Sequence, residues 1–406
     1  MEGLLFLAHR IPFPPNKGDK IRSFHLLRHL GARYEIHLGG FVDDPDDWQY
    51  LDALKPYCAS IHLLPLNPRR ARLASLAGLL SGEALTLPYY RSRELARWAK
   101  ALADAGTVTR GLAFSSAMAQ FMPVGLARRV LDMVDVDSDK WTQYAQTQRW
   151  PLSWVYAREG RKLADWEAQA ARDFDATLLV SKDEAALLQQ RVPQAQNKIG
   201  AFENGVDADY FLPARDYPNP YPSAVRGVVF TGAMDYWPNI DAVTWFAERI
   251  FPAVREAVPD AQFTIVGSRP GEAVLALARQ PGVVVTGGVP DVRPWLAHAA
   301  CAVAPLRIAR GVQNKVLEAM AMARPVVASA QAAEGIRAEA GRDYILALGE
   351  ADFARAVVAG LQNAAAVPQA RDCILKNYDW ARNLSAIDSL FEAAPAAHPV
   401  LETCPA

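Results

Sequence analysis

The stretch AVAPLRIARGVQNKVLEAMAMARPVVAS, Ala302 to Ser329, constrains this chain more than any other. An apolar run, a basic glycine-containing loop, a helix and a second apolar run follow one another without a gap, which is the layout of a compact β-loop-α-β unit. Pro305 closes the first strand, because proline has no amide hydrogen to give to a ladder. Arg324-Pro325 closes the helix, because the residue before proline is pushed out of the α region. The loop therefore falls at the carboxyl end of a strand. In an open parallel sheet that end, together with the positive N-terminus of the next helix, is where anions bind. Arg307, Arg310 and Lys315 bring full positive charges there, and Gly311 permits the tight backbone that lets amides approach an anion. Asn314 and Glu318 are four apart and share one helical face, which Arg310 extends if the helix begins that early. Such a set suits a ligand with a charged diphosphate and a hydroxyl-rich ribose.

At 406 residues with 51% hydrophobic content, the chain exceeds one ordinary core, so two soluble α/β domains are expected. A net charge of -1 gives no global pull toward nucleic acid, and none is expected as a partner. Cys58, Cys301, Cys373 and Cys404 are far apart and form no C-x-x-C pair, so neither a zinc site nor a disulfide framework is indicated. The opening GLLFLAH is too short, and too soon followed by charge, for a signal peptide. No apolar run approaches the roughly 20 residues of a spanning helix, and the cytoplasm is the expected location.

Leu4 to Ala8 reads as a buried first strand that runs into His9-Arg10-Ile11-Pro12-Phe13-Pro14-Pro15-Asn16-Lys17-Gly18-Asp19-Lys20. Two readings stand for this loop. It is a proline-rich surface turn, or a second anion loop in which Gly18 brings amides near a ligand while Asp19, Lys20 and Arg22 meet hydroxyls or phosphate. A helix at 21–30 follows. Further strands are expected at 34–42, 61–64, 111–114, 129–134 and 176–180, with helix over 68–103 interrupted at Leu87-Pro88 and a cap at Ser115-Ser116. Ser181-x-x-Glu184 has capping-box spacing. Asp135-Val136-Asp137-Ser138-Asp139-Lys140 fails as a calcium loop, since Lys140 stands where the sharp-turn glycine belongs and Gln146 where the bidentate glutamate belongs. A metal-binding D-x-D, helix-capping aspartates and a pair of strand-end acids remain, and the β-α-β surroundings favour the last two over the metal.

Pro213 to Pro222 holds four prolines and reads as an interdomain linker, after which strands are expected at 227–231, 263–266, 283–285 and 344–347. Helices are expected at 240–257, 292–299, 350–362 and 380–393, and a disordered tail at 395–406. Trp295 is assigned to packing its helix onto the sheet.

R-G-x-x-N-K-x-L-E-A-M-A-x-x-x-P-V-V, residues 310–327, resembles the donor-nucleotide helix of retaining glycosyltransferases with two Rossmann-like domains, the GT-B group that contains glycogen synthase. P-P-x-x-G-D-K-x-R at 14–22 resembles the first loop of the exopolysaccharide-associated sugar transferases in that group. The resemblance implies an acceptor-side domain at 1–212, a linker at 213–225, a nucleotide-sugar domain at 226–375 and a helix at 376–394 that crosses back, with a cleft between the domains. It implies donor contacts from Gly18, Asp19, Lys20, Gly232, Gly267, Val289, Arg310, Gly311, Asn314 and Glu318. The chain also departs from the family. Arg310 occupies the place of a glutamate eight residues before Glu318, and Val134-Asp135 stands where His-Asp is usual, which leaves acceptor-hydroxyl recognition to Asp135 or Asp137. The loop after Gly232 lacks the usual Arg and Lys, so the diphosphate falls to Arg307, Arg310 and Lys315. Asn204-Gly205 is expected to supply a positive-φ turn.

The implied activity is metal-independent transfer of a hexose, with retention, from a UDP- or GDP-sugar to a glycan or lipid-linked acceptor, with no separate cofactor. A nucleotide-sugar epimerase on the same fold is the alternative, and a non-catalytic sugar-nucleotide sensor remains open. An NAD-dependent oxidoreductase is disfavoured, since no G-x-G-x-x-G follows the first strand. Finally, Arg69, Arg70 and Arg72 precede Leu73, Leu76 and Leu79 or Leu80 on one helical face. That segment either lies weakly in a membrane interface or packs its leucines on the first domain.

Overall fold

The computed structural model describes residues 1–15, 18–309, 311–363 and 365–392. The chain divides into two units, one of Met1–Glu203 with the chain from Ala381 onward, the other Asn204–Trp380. Each unit is built on a parallel sheet. The first contains β1 (Gly3–Ala8), β2 (Glu35–Val42), β3 (Ser60–Pro65), β4 (Arg110–Phe114), β5 (Arg128–Val134), β6 (Ala176–Leu179) and β7 (Ile199–Ala201), in the order β3-β2-β1-β4-β5-β6-β7. The second contains β8 (Arg226–Thr231), β9 (Ala261–Val266), β10 (Val283–Gly287), β11 (Cys301–Ala304), β12 (Val326–Ser329) and β13 (Ile345–Ala347), in the order β10-β9-β8-β11-β12-β13. This is a doubly wound order, and it explains the strand sequences. A sheet covered by helices on both faces needs apolar side chains both ways, so β1 (GLLFLA) and β11 (CAVA) are buried at every position.

In each sheet the strand order reverses between two central neighbours, β1 and β4 in the first, β8 and β11 in the second. The loops that leave those carboxyl ends turn to opposite sides and open a crevice. His9 and Ser115 follow one pair of ends, and Gly232 and Pro305 follow the other.

The unit boundary falls after Glu203, ahead of the proline-rich 213–222 segment. That segment is anchored in the second unit: Tyr217 and Tyr221 are buried in its core, and the Tyr221 hydroxyl donates to Trp295 O at 3.0 Å. The Tyr221 and Trp295 rings meet edge to face at 5.4 Å, so Trp295 packs as expected. Gly205 is not needed for a positive φ. A Cβ there would come within 2.7 Å of Tyr378 O and 2.9 Å of the Trp380 ring, so close packing requires the glycine. At the other end of the chain, the expected single helix is two short ones, Trp380–Ser385 and Asp388–Glu392. The second packs on the first unit, where His29 Nε2 meets Asp388 Oδ1 at 2.7 Å and Arg110 donates to Phe391 O at 2.8 Å. The tail at 395–406 lies outside the described residues.

Several local expectations change. The 68–103 region is four helices, Pro68–Ser75, Ala77–Ser81, Thr86–Tyr90 and Arg93–Asp104, and it breaks at the left-handed Gly82 and at Arg91. Leu87-Pro88 lies inside the third helix, where proline in a first turn loses no intrahelical bond. Ser115 makes no cap hydrogen bond. Ser181 does cap, accepting from Glu184 N at 3.2 Å, but the Glu184 carboxylate turns away to accept from Val136 N. The helix in the 302–329 unit ends at Ala321, ahead of Pro325. Ala323 takes φ 51°, and Arg324 N and Ala323 N donate to Ala319 O and Met320 O, which is a Schellman ending with alanine in the place glycine usually takes.

The first unit is pinned by one fully buried ion pair. Arg22, on the helix Gly18–Gly31, donates through Nε to Asp132 Oδ2 on β5 at 2.7 Å and through a terminal nitrogen to Phe202 O at 2.5 Å. Breaking one side of such a pair strands a buried charge at a cost of about 3–5 kcal/mol. Arg22→Met should therefore lower the denaturant stability of the first unit by about that much, and Arg22→Met with Asp132→Asn by clearly less. Equal losses in the single and double variants would show that the two charges do not act as a pair.

Candidate functional site

The crevice end of the second unit brings most of the expected donor residues together. Lys315, the second residue of the helix Asn314–Ala321, donates from Nζ to Asn239 Oδ1 at 3.1 Å and lies 5.2 Å from the centroid of the Phe230 ring. Asn239, whose side chain also donates to Ala233 O at 2.9 Å, ties this lysine to the loop after β8. Gly232 must be small here, since a Cβ would lie 2.8 Å from Asn239 Nδ2 and 3.4 Å from Lys315 Cε. Gly267, at the end of β9, leaves room for Gly232 O, which a Cβ would meet at 1.7 Å. Its smallness thus serves the packing of the two loops. Gly311 holds φ 63°, as a tight loop ahead of a helix requires.

Around this lysine the charges are poorly hydrated. Burial pushes the Glu318 carboxyl up to about 7, against the pull of Lys315, and pushes the Lys315 ammonium down to about 8, against Glu318. Asn314 Oδ1 is buried and has no hydrogen-bond partner among the described residues. No side-chain bond from Gln313 caps the first turn of this helix. An acceptor without a partner among the described residues, a helix start without a side-chain cap and a nearby cation together make this a candidate site for an anion with hydroxyls. Tyr210 is near enough for Glu318 to act on its phenol. Its ring carries the Arg293 guanidinium at 3.8 Å, and Arg293 in turn grips Asp291.

Other expected donor residues point elsewhere. Arg307 is exposed and held by both carboxylate oxygens of Asp241, with Nε donating at 2.9 Å, so its charge is already partnered away from Lys315. Val289 is partly buried against the second unit's core, which accounts for it without a ligand. Arg310 lies outside the described residues. Asn239 was not singled out from sequence. An asparagine three residues into a helix is common, and only the fold shows that it links two loops.

The first unit has its own cavity, of about 510 Å³, at the crevice end of its sheet. His9, Ser115, Val134, Asp135, Asp137 and Glu159 lie on its wall together with Tyr89, Tyr90, Trp141 and Tyr156. Asp135 and Asp137 are brought together by Lys140, whose Nζ lies 2.6 Å from one carboxylate and 3.1 Å from the other. The strand leading to them is strained. Val134 has φ 71° and Ser115 φ 82°, conformations that cost a β-branched or ordinary residue energy, and both line this cavity.

The 14–22 loop behaves only in part as expected. Asp19 reaches the cavity, but it accepts from Arg10 at 2.6 Å and faces His9 Nε2 at 3.4 Å. The His9 and Arg10 partners hold its carboxyl well below the usual range, despite burial. Lys20 is buried and paired with Asp47 at 2.5 Å, so it is not a ligand group. Arg22 is the structural ion pair described above. Gly18 begins the helix with no positive φ and, among the described residues, nothing near its absent Cβ, so no close approach demands a glycine there. His9 was missed. Its ring stacks on Phe114 at 5.8 Å, Asp19 faces its Nε2, and its buried Nδ1 has no partner among the described residues. The available signal was its place, the first residue after the central strand.

The Lys315 and Glu318 shifts fix a pH dependence for UDP, used as a probe. A ribose hydroxyl donates best to an ionised Glu318, so affinity should rise as pH climbs through about 7. A diphosphate needs protonated Lys315, so affinity should fall above about 8. Calorimetry from acid to alkaline pH should give the tightest binding between those values. Glu318→Gln should flatten the acid limb and Lys315→Met the alkaline limb. Limbs that persist in both variants would remove the two residues from the site.

Residues 225–363 match the family of glycosyl transferases group 1. No curated protein sequence matches the chain. Along nearly its whole length the chain is similar in structure to sucrose-phosphate synthase from Thermosynechococcus elongatus, with TM-score 0.68, 16% identity, and 96% of this chain and 98% of the other covered. It is similar to Anabaena HepE in complex with UDP, with TM-score 0.63, 15% identity and coverage of 96% and 99%. A glycosyltransferase from Rickettsia africae superposes with TM-score 0.61, 13% identity and coverage of 97% and 100%. At these identities the likeness establishes the fold. The chain therefore has the GT-B fold of two parallel-sheet α/β domains, with a glycosyl transferases group 1 domain in the second.

Proposed function

We propose that the chain is a glycosyltransferase that moves a hexose from a UDP- or GDP-sugar to a growing exopolysaccharide or lipid-linked sugar, with retention at the anomeric carbon. The observation that carries the donor half is the cluster of Asn314, Lys315 and Glu318, whose buried acceptor has no partner among the described residues and whose cation is poorly hydrated. HepE, solved with UDP and with UDP-glucose, shows that a chain of this fold holds such a donor. In this reading Glu318 and Asn314 hold the ribose, and Lys315 meets the diphosphate. Arg307, already held by Asp241, adds little there. As the sugar departs, negative charge grows on the leaving diphosphate, and a cation already stripped of water stabilises it strongly. The proposal assigns that charge to basic side chains and calls for no metal.

The acceptor is assigned to the cavity of the first unit. Aromatic walls with carboxylates between them fit a sugar, whose rings present apolar faces and hydroxyl edges. Asp135 and Asp137 would accept from the hydroxyl that attacks. One feature favours a second stereochemical outcome. His9, oriented by Asp19 at 3.4 Å, has a nitrogen without a partner among the described residues, and an oriented imidazole is the base that direct displacement with inversion needs.

Product analysis decides between them: the anomeric configuration of the first-formed product, read by proton NMR, should match that of the donor, and inversion would overturn the retaining assignment. Incubation with radiolabelled UDP- and GDP-sugars should show slow hydrolysis or transfer that survives a chelator. Lys315→Met should lower kcat more than it raises KM, because charge on the diphosphate is largest in the transition state. Arg307→Met, already paired with Asp241, should do less. The reverse order would place the developing charge at Arg307.

A further inference from the structure

Two exposed apolar groups flank the cavity of the first unit. On one side the helices Pro68–Ser75 and Ala77–Ser81, with Leu76 between them, leave Leu73 70%, Leu76 51% and Leu80 94% exposed. These leucines therefore do not pack on the first domain. On the other side the helices Asp137–Thr147 and Leu152–Asp173 and the turn between them expose Tyr144, Trp154 and Trp150, the last by 81%. The two sides form one rim. Arg158 donates to Gly78 O at 2.7 Å and to Glu83 O at 3.0 Å, and Glu159 accepts from Leu85 N and Thr86 N. Arg72 and Ser75 from the first side line the same cavity as Trp141 and Tyr156 from the second.

The exposed charges set among these apolar side chains are basic. No Asp or Glu occurs between Asp52 and Glu83, or between Asp139 and Glu159, whereas Arg69, Arg70, Arg72 and Arg149 are all exposed. Large leucines and tryptophans held in water are uncommon singly grouped in this way, and they mark a surface made for contact. Tryptophan and tyrosine favour the headgroup layer of a bilayer, and arginines beside them favour anionic lipid. We infer that this rim docks on the surface of an anionic bilayer. Docked so, the cavity opens at headgroup level, where an acceptor sugar carried on a lipid would present itself. No helix among the described residues is long and apolar enough to cross a membrane, so the attachment is interfacial. The inference rests on the proposed function only for what the cavity holds, since vesicle binding requires neither donor nor turnover.

The test is co-sedimentation of the full chain with phosphatidylcholine vesicles, with and without phosphatidylglycerol, at low and high salt. Binding should need the anionic lipid and weaken with salt. Each arginine near such a surface contributes about fivefold, so R69Q/R70Q/R72Q should lose about a hundredfold in partitioning. W150S/W154S should lose binding at every salt concentration, and Leu348→Ser, an exposed leucine of the second unit, should lose none. All these positions are exposed, so the variants keep the fold, and unchanged UDP binding separates a failed membrane surface from a failed donor site. No sedimentation, equal binding to neutral vesicles, or binding unaffected by either variant would overturn the inference. So would vesicle-independent self-association that Leu80→Ser abolishes, which would make the face a contact between copies.

Discussion

The placement of both candidate sites follows from the burial of two parallel sheets. A parallel sheet covered on both faces has no wet side, so its strands spend their side chains on the core and leave chemistry to the ends. At the ends, crowding by loops is relieved only where the strand order reverses. In the second unit that place lies between β8 and β11, and Gly232, Asn239, Lys315, Asn314 and Glu318 are collected there. In the first it lies between β1 and β4, and His9 and Ser115 stand at it. The positive φ of Ser115 and Val134 belongs to the same constraint, since each turns the backbone sharply at a strand end to reach the cavity.

The part of this that was legible in the sequence is the part governed by local rules. Continuous apolar runs revealed the strands, and the spacing of Asn314 and Glu318 revealed a shared helical face. Charge near a glycine loop was a weaker guide, because a cation is defined by its partner. Arg307, Lys20 and Arg22 all looked available, yet Asp241, Asp47 and Asp132 hold them, and those partners lie 66, 27 and 110 residues away. Glycine misled in a related way. Gly205 and Gly267 are small because a neighbouring backbone or ring fills the space, a reason that only tertiary structure supplies. His9 and Asn239 were missed for the converse reason, since nothing local distinguishes them from ordinary loop and helix residues.

Dehydration links the fold to its chemistry. A surface Lys-Glu pair contributes little, and its charges stay at ordinary pKa values. Here burial draws Lys315 and Glu318 toward neutrality, so each stands close to a charge change near neutral pH. In the proposed reading, a ligand that offers a diphosphate to one and hydroxyls to the other would restore the charged forms and satisfy Asn314 at the same time. Such a site selects its ligand by what it lacks.

The most direct measurement is a crystal structure of the full chain with UDP. The account predicts the ribose within hydrogen-bond reach of Glu318 and Asn314, the diphosphate at Lys315 beside Gly232, and Asp241 still holding Arg307. A nucleotide bound away from the loop after β8, with Asn314 Oδ1 still unpartnered, would contradict it.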